Sequence, residues 1–136
     1  MKKRGRKSFW DKEYKKTGKN LALSENPSED LMKFARWLED EHERRCLNPA
    51  ASGLDLGCGN GRNLICLARE YGVRGIGIDN SHEAITHAKA KSVGLPISYE
   101  VRSIVSALPV PATSQDMVLL MMTSHFLDKN ERANLY

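Results

Sequence analysis

Residues 52–70, SGLDLGCGNGRNLICLARE, place Gly57, Gly59 and Gly61 at alternate positions between two apolar runs. Glycine is the costliest residue to order, so three in alternation imply a backbone that something must approach closely. A strand feeding a helix through such a turn sets main-chain amides at the positive end of the helix, where polar ligand groups can settle. The next apolar run ends in Asp79, 22 residues after Gly57. A carboxylate at that offset can accept hydrogen bonds from both hydroxyls of a ribose. Glycine turn and acidic strand end together point to a nucleoside-containing ligand. Taken singly, the turn could be only a tight turn and Asp79 only a helix cap.

The dinucleotide fingerprint Gly-x-Gly-x-x-Gly fails here, because Arg62 stands where its third glycine belongs. The spacing present is Gly-x-Gly-x-Gly, preceded by Asp55. In LDLGCGNGRN, GIGIDNS and SALPVPATSQDMVLL, over about residues 9–128, the sequence resembles the class I S-adenosylmethionine-dependent methyltransferases. FWDKEY looks like the leading helix of several branches that act on small molecules. The resemblance implies S-adenosylmethionine as cofactor and a small-molecule methyl acceptor. It implies that Asp55 orders the turn near the cofactor's amino group and that Gly57, Cys58, Gly59 and Gly61 carry the methionine portion. Asp79 would hold the ribose, with Asn80 flanking the adenine pocket. Where the family often has Asp and an apolar residue at the adenine position, this chain has Ser103 and Ile104, leaving a hydroxyl contact at best.

Methyl transfer depends first on positioning, and a general base is needed only for some acceptors. His125, in TSHFLD just past the fourth strand, has a side chain suited to proton transfer, or is a packing residue of the pocket wall. Tyr14 and Trp10 either roof the methyl site or staple the leading helix to the sheet. The catalytic candidates are therefore His125 and Tyr14. No metal site is expected.

These residues need a scaffold. SFWDKEYKK reads as a short helix with Trp10 and Tyr14 on one face, and residues 26–48 as a longer one capped by Ser28, with Leu31, Phe34, Ala35 and Leu38 buried. Strand and helix patterns then alternate: GLDLG, RNLICLAREY, VRGIGID and SHEAITHAKAKSVG, then strands PISYEVRS and DMVLLMMTS. Asn80 with Glu83 suggests a capping box for the fourth helix, and Gly94 its C-terminal glycine. Pro109 and Pro111 leave no room for a helix before Asp116, which opens strand four. The order implies an α/β fold, a Rossmann-like open parallel sheet with helices on both faces. The resemblance makes these the first four strands, order 3-2-1-4, of a seven-stranded fold. MVLLMM lacks polar alternation and reads as buried on both faces. The expected division is a basic segment with its leading helix over 1–20 and a methyltransferase domain over 21–136, incomplete at its C-terminus. An open fourth strand would then invite self-association.

Composition narrows the class. In 136 residues, 28% charged and 40% hydrophobic, no run reaches the roughly 20 apolar residues of a membrane helix. Cys46, Cys58 and Cys66 form no Cys-x-x-Cys pair, which suits reduced thiols in a cytoplasmic protein. Residues 1–19 hold nine Lys or Arg against Asp11 and Glu13, so they carry +7 and the rest of the chain −3, for a net charge of +4. A solvated tail explains this block, and nucleic acid is a possible but unfavoured partner. Two other readings stand beside the enzyme: a non-catalytic S-adenosylmethionine- or RNA-binding module using the basic arm, and a nicotinamide oxidoreductase, disfavoured by the glycine spacing.

Overall fold

The computed structural model describes residues 3–16, 24–43, 45–121 and 123–135, so residues 1, 2 and 17–20 of the leading segment, and Met122 of MVLLMM, lie outside it. Helix α1 spans Lys3–Lys15 and α2 Glu29–His42; β1 is Ser52–Leu56, α3 Arg62–Tyr71, β2 Arg74–Asp79 and α4 His82–Lys91. Strands β3 (Ile97–Val101) and β4 (Met117–Leu119), a 3₁₀ turn over Ser124–Phe126 and α5 (Lys129–Leu135) complete the order. The four strands form one sheet in the order β3-β2-β1-β4. All pairs are parallel, with Asp55 opposite Gly77 on β2 and opposite Leu119 on β4.

Alternation along β1 sends its side chains to opposite layers. Leu54 and Leu56 join Ile78 and Ile104 on one face, with Leu127 and Leu135 packed against them. On the other face Leu31 and Ala35 of α2 meet Leu64 and Leu67 of α3, Val73 and Leu119. Each such buried leucine is worth about 1.5–3 kcal/mol relative to exposure. Asp116 ties the sheet's base: its Oδ2 accepts from the Ser52 N–H at 2.8 Å and the Ser52 hydroxyl at 3.1 Å.

Several elements depart from their sequence expectation. Within the basic segment α1 runs over Lys3–Lys15, starting earlier than SFWDKEYKK. Helix α2 stops at His42, and Phe34 lies 46% exposed, stacked on Trp37 at 5.7 Å, because the stripe that meets the core runs through Leu31, Ala35 and Leu38. Ser28 makes no side-chain cap; its N–H instead donates to Asn63 Oδ1 at 2.9 Å. Ser81, not Asn80, caps α4, its Oγ accepting from the Ala84 N–H at 3.2 Å. The helix ends at Lys91 with Ser92 as its C-cap, which leaves Gly94 in the turn beyond. Strand β4 has three residues, and only Leu119 is buried. Val118 is 56% exposed and Met117 and Leu120 are half-buried, so the fourth strand is not fully covered on both faces. Residues 102–116 hold no helix, as the two prolines require.

Candidate functional site

Beyond Leu56 the chain turns through residues 57–61 into α3, and Gly57, Gly59 and Gly61 all hold positive φ, at 78°, 55° and 79°. Closeness adds to conformation at all three, Gly61 lying against the Tyr99 hydroxyl. A Cβ on Gly59 would collide with the Tyr14 hydroxyl, and one on Gly57 would lie 3.0 Å from Thr123 Cβ. Four of the turn's amides are already engaged within the fold. Gly57 and Cys58 donate to the Ile78 carbonyl at 2.8 and 3.0 Å, and Gly61 to the Cys58 carbonyl at 3.0 Å. The Gly59 N–H donates to Asp79 Oδ2 at 2.9 Å. A turn wedged against a neighbouring strand must satisfy its own donors. The glycines therefore serve by the side chains they lack, and the donors stitch β1's exit to β2's.

Asp79 is fixed at both oxygens, since Oδ1 also accepts from the Ser81 N–H at 2.9 Å. Each oxygen keeps acceptor capacity for a further donor. Burial raises the Asp79 carboxyl's pKa, while the Ser81 and Gly59 amides pull the other way. Asp55 lies one strand over, 1% exposed, and its Oδ2 has no hydrogen-bond partner among the described residues. Burial and then the charge of Asp79 push its carboxyl up to about 7, with Arg62 opposing them. Cys58 is buried, and burial holds its thiol well above the ordinary value, so it is a small neutral side chain rather than a nucleophile.

Helix α1 roofs this arrangement. Tyr14 is 8% exposed over Gly59, and burial, followed by Asp79, raises its phenol's pKa. The Tyr14 carbonyl accepts from His87 Nε2 at 2.9 Å, and Asp11 Oδ1 accepts from the Ser81 hydroxyl at 2.6 Å. At its other end Arg6 forks onto Glu131 of α5 at 2.9 Å to each oxygen and also donates to the Phe126 carbonyl. Trp10 meets the Phe126 ring edge-on at 5.0 Å. The helix thus stretches from the start of α4 to the 3₁₀ turn and α5.

The structure gathers Asp55, Gly57, Cys58, Gly59, Gly61, Asp79 and Tyr14 at one strand-end cluster. Asn80 is exposed beside Asp79. Ser103 is exposed past β3, its Oγ accepting from the Val105 N–H at 3.4 Å, while Ile104 packs into the core with Leu54, Leu56 and Ile78. His125 sits exposed on the 3₁₀ turn; it is Thr123, two residues earlier, that meets the glycine turn. Asp11 and Tyr99, which lies against Gly61, escaped the sequence reading, whereas Thr123 opens TSHFLD, the stretch expected to border the pocket. A cavity of about 380 Å³ touches the turn only through Asn60 and Arg62, its other walls including Glu25, Arg69 and Lys91. Among the described residues no group of His, Cys, Asp or Glu could hold a metal, and no helix is long and apolar enough to cross a membrane.

A glycine turn leaving the first strand and an acid closing the second, in a parallel 3-2-1-4 sheet, define a Rossmann-like nucleoside-cofactor fold. The methyltransferase domain family matches residues 54–136, and the chain belongs to that family. Among solved structures, a Leishmania major S-adenosylmethionine-dependent methyltransferase superposes with a TM-score of 0.62 at 18% identity, covering 78% of this chain and 42% of that one. A putative sarcosine dimethylglycine methyltransferase from Galdieria sulphuraria gives 0.53 at 23% identity, covering 68% and 39%. A structure described for the conversion of a disulfide bond into a thioacetal group during echinomycin biosynthesis gives 0.54 at 23%, covering 74% and 41%. The chain thus spans about two fifths of the length of these structures. No curated protein matches it by sequence.

Proposed function

We propose that the chain binds S-adenosylmethionine at the β1–α3 turn and takes part in transfer of its methyl group to a small-molecule acceptor. One observation carries this reading: the Asp79 carboxylate that closes β2 is held by the Gly59 amide at 2.9 Å, against a turn whose three glycines all hold positive φ. The residues present fit the cofactor. Asp79 offers acceptors to two ribose hydroxyls, and Asp55 is a buried acid whose unpartnered Oδ2 suits a cationic group. Asn80, Ser103 and Ile104 would border the adenine. When bound, the sulfonium supplies an electrophilic methyl group.

What the chain itself contributes is orientation and exclusion of water. Tyr14 and Thr123 close over Gly59 and Gly57, and α1 is pinned at both ends to keep them there. His125, exposed on the 3₁₀ turn, belongs to the acceptor side, where it would take a proton from acceptors that must lose one. An RNA-holding role for the basic segment is the lesser reading, because Arg6 is committed to Glu131 and α1 is docked on the domain.

Titration calorimetry with S-adenosylmethionine and S-adenosylhomocysteine tests the reading. Binding should occur, and Asp79→Ala should weaken it by about 1–3 kcal/mol, roughly 5- to 150-fold, through unpaired ribose hydroxyls. No heat at millimolar ligand would refute it.

A further inference from the structure

Asp55 stands one residue before the end of β1 and Asp79 ends the neighbouring β2, and both belong to the cluster at the glycine turn. Asp79 has backbone donors on each oxygen, whereas Asp55 Oδ2 is buried with no partner among the described residues. The groups that face the pair come from every element around it. Cys58 lies in the turn, Arg62 opens α3, Tyr14 and Asp11 come from α1, and Tyr99 comes from β3. From α4, Ser81 bonds Asp79 and His87 bonds the Tyr14 carbonyl; the β4 residue opposite Asp55 is Leu119. Arg62 is the one cation in this set of named groups that acts on Asp55. Two ionised carboxylates against one guanidinium leave an excess negative charge in a water-poor site, and the free site relieves it by keeping a proton on Asp55.

We propose that the Asp55–Asp79 pair links cofactor binding to proton release, so that the charged sulfonium cofactor gains over its neutral thioether product as pH rises. The inference rests on the S-adenosylmethionine reading above. The mechanism is replacement: the ligand's positive charge takes the place of the Asp55 proton, which leaves to solvent. S-adenosylmethionine carries one positive charge more than S-adenosylhomocysteine, so it draws out the ionised form more strongly. Asp55 is therefore a residue that selects donor over product, a role distinct from forming the turn.

Calorimetry on the full chain at pH 5.5 and 7.0 tests this, below the range in which a ligand's α-amino group titrates. Each titration is run in two buffers of different ionisation enthalpy, so that released protons are counted. With Asp55 at about 7, S-adenosylmethionine affinity should rise roughly fifteenfold between these pH values, with close to one proton released at pH 5.5. S-adenosylhomocysteine should change less than threefold, and Asp55→Asn should flatten the S-adenosylmethionine slope. Equal slopes for the two ligands in the unmodified chain would overturn the proposal, independently of any variant. A slope that survives in folded Asp55→Asn would assign the proton to another group and also overturn it. Binding of both ligands without pH dependence sinks this proposal and leaves the cofactor reading intact; absence of binding by either sinks both.

Discussion

Replacing Gly59 by alanine separates two reasons for a glycine at that position. Gly59 has φ 55°, a left-handed conformation that costs an L-residue about 1–2 kcal/mol. Its Cβ would also collide with the Tyr14 hydroxyl, an overlap worth about 1–3 kcal/mol in a packed interior. Gly59→Ala should therefore destabilise the chain by about 2–5 kcal/mol. If the hydroxyl is removed as well, the nearest atom becomes the Tyr14 ring carbon Cζ at 3.5 Å, an ordinary contact. In a Tyr14→Phe background Gly59→Ala should then cost only the backbone share, about 1–2 kcal/mol. Urea unfolding of the four chains closes the cycle, with an expected coupling of about 1–3 kcal/mol. Additivity within about 0.5 kcal/mol would mean that Tyr14 does not lie over the turn in solution. The docking of α1 would then be wrong.

Two further outcomes follow from the same geometry. Asp55 titrates at about 7 in the fold against an ordinary value of 3.8, so its contribution to stability is greatest below pH 3.8 and is lost as pH rises towards 7. Asp55→Asn should accordingly stabilise the ligand-free chain at pH 8, by up to about 4 kcal/mol, and give no gain at pH 4 in urea titrations. Arg6→Ala removes the guanidinium from Glu131, whose side chain is 6% exposed and still accepts from the Asp128 N–H, and should cost about 1–3 kcal/mol. It should also speed hydrogen exchange across α1, and unchanged exchange there would argue against the clamp.

Much of the scaffold was legible because its signals are local. Parallel order, the glycine turn, the acid closing β2 and the proline-broken crossover each follow from residues adjacent in sequence. What was not legible depends on partners far along the chain. Phe34 has the spacing of a buried residue, yet α2 turns it outward once Leu31 and Ala35 have met α3. Asn80 and Ser81 are both plausible caps, and the choice falls to Ser81, whose hydroxyl also donates to Asp11 70 positions away. MVLLMM has the composition of a buried strand, but burial needs cover on both faces, and Val118 stays 56% exposed. In the site, the acids and glycines announced themselves, whereas Thr123 and Tyr99 are ordinary residues until the fold lays them against Gly57 and Gly61. The engagement of the turn's amides by Ile78 and Asp79 was equally hidden, because a sequence does not display which carbonyl a donor will find.

Amide shifts of the ¹⁵N-labelled chain, followed as S-adenosylmethionine is added, test the central claim most directly. The largest changes should fall on residues 57–61, Asp79 and Asn80, with Tyr14 moving alongside. Saturable changes confined elsewhere, such as the cavity wall of Arg69 and Lys91, would contradict a cofactor site at the exit of the first strand.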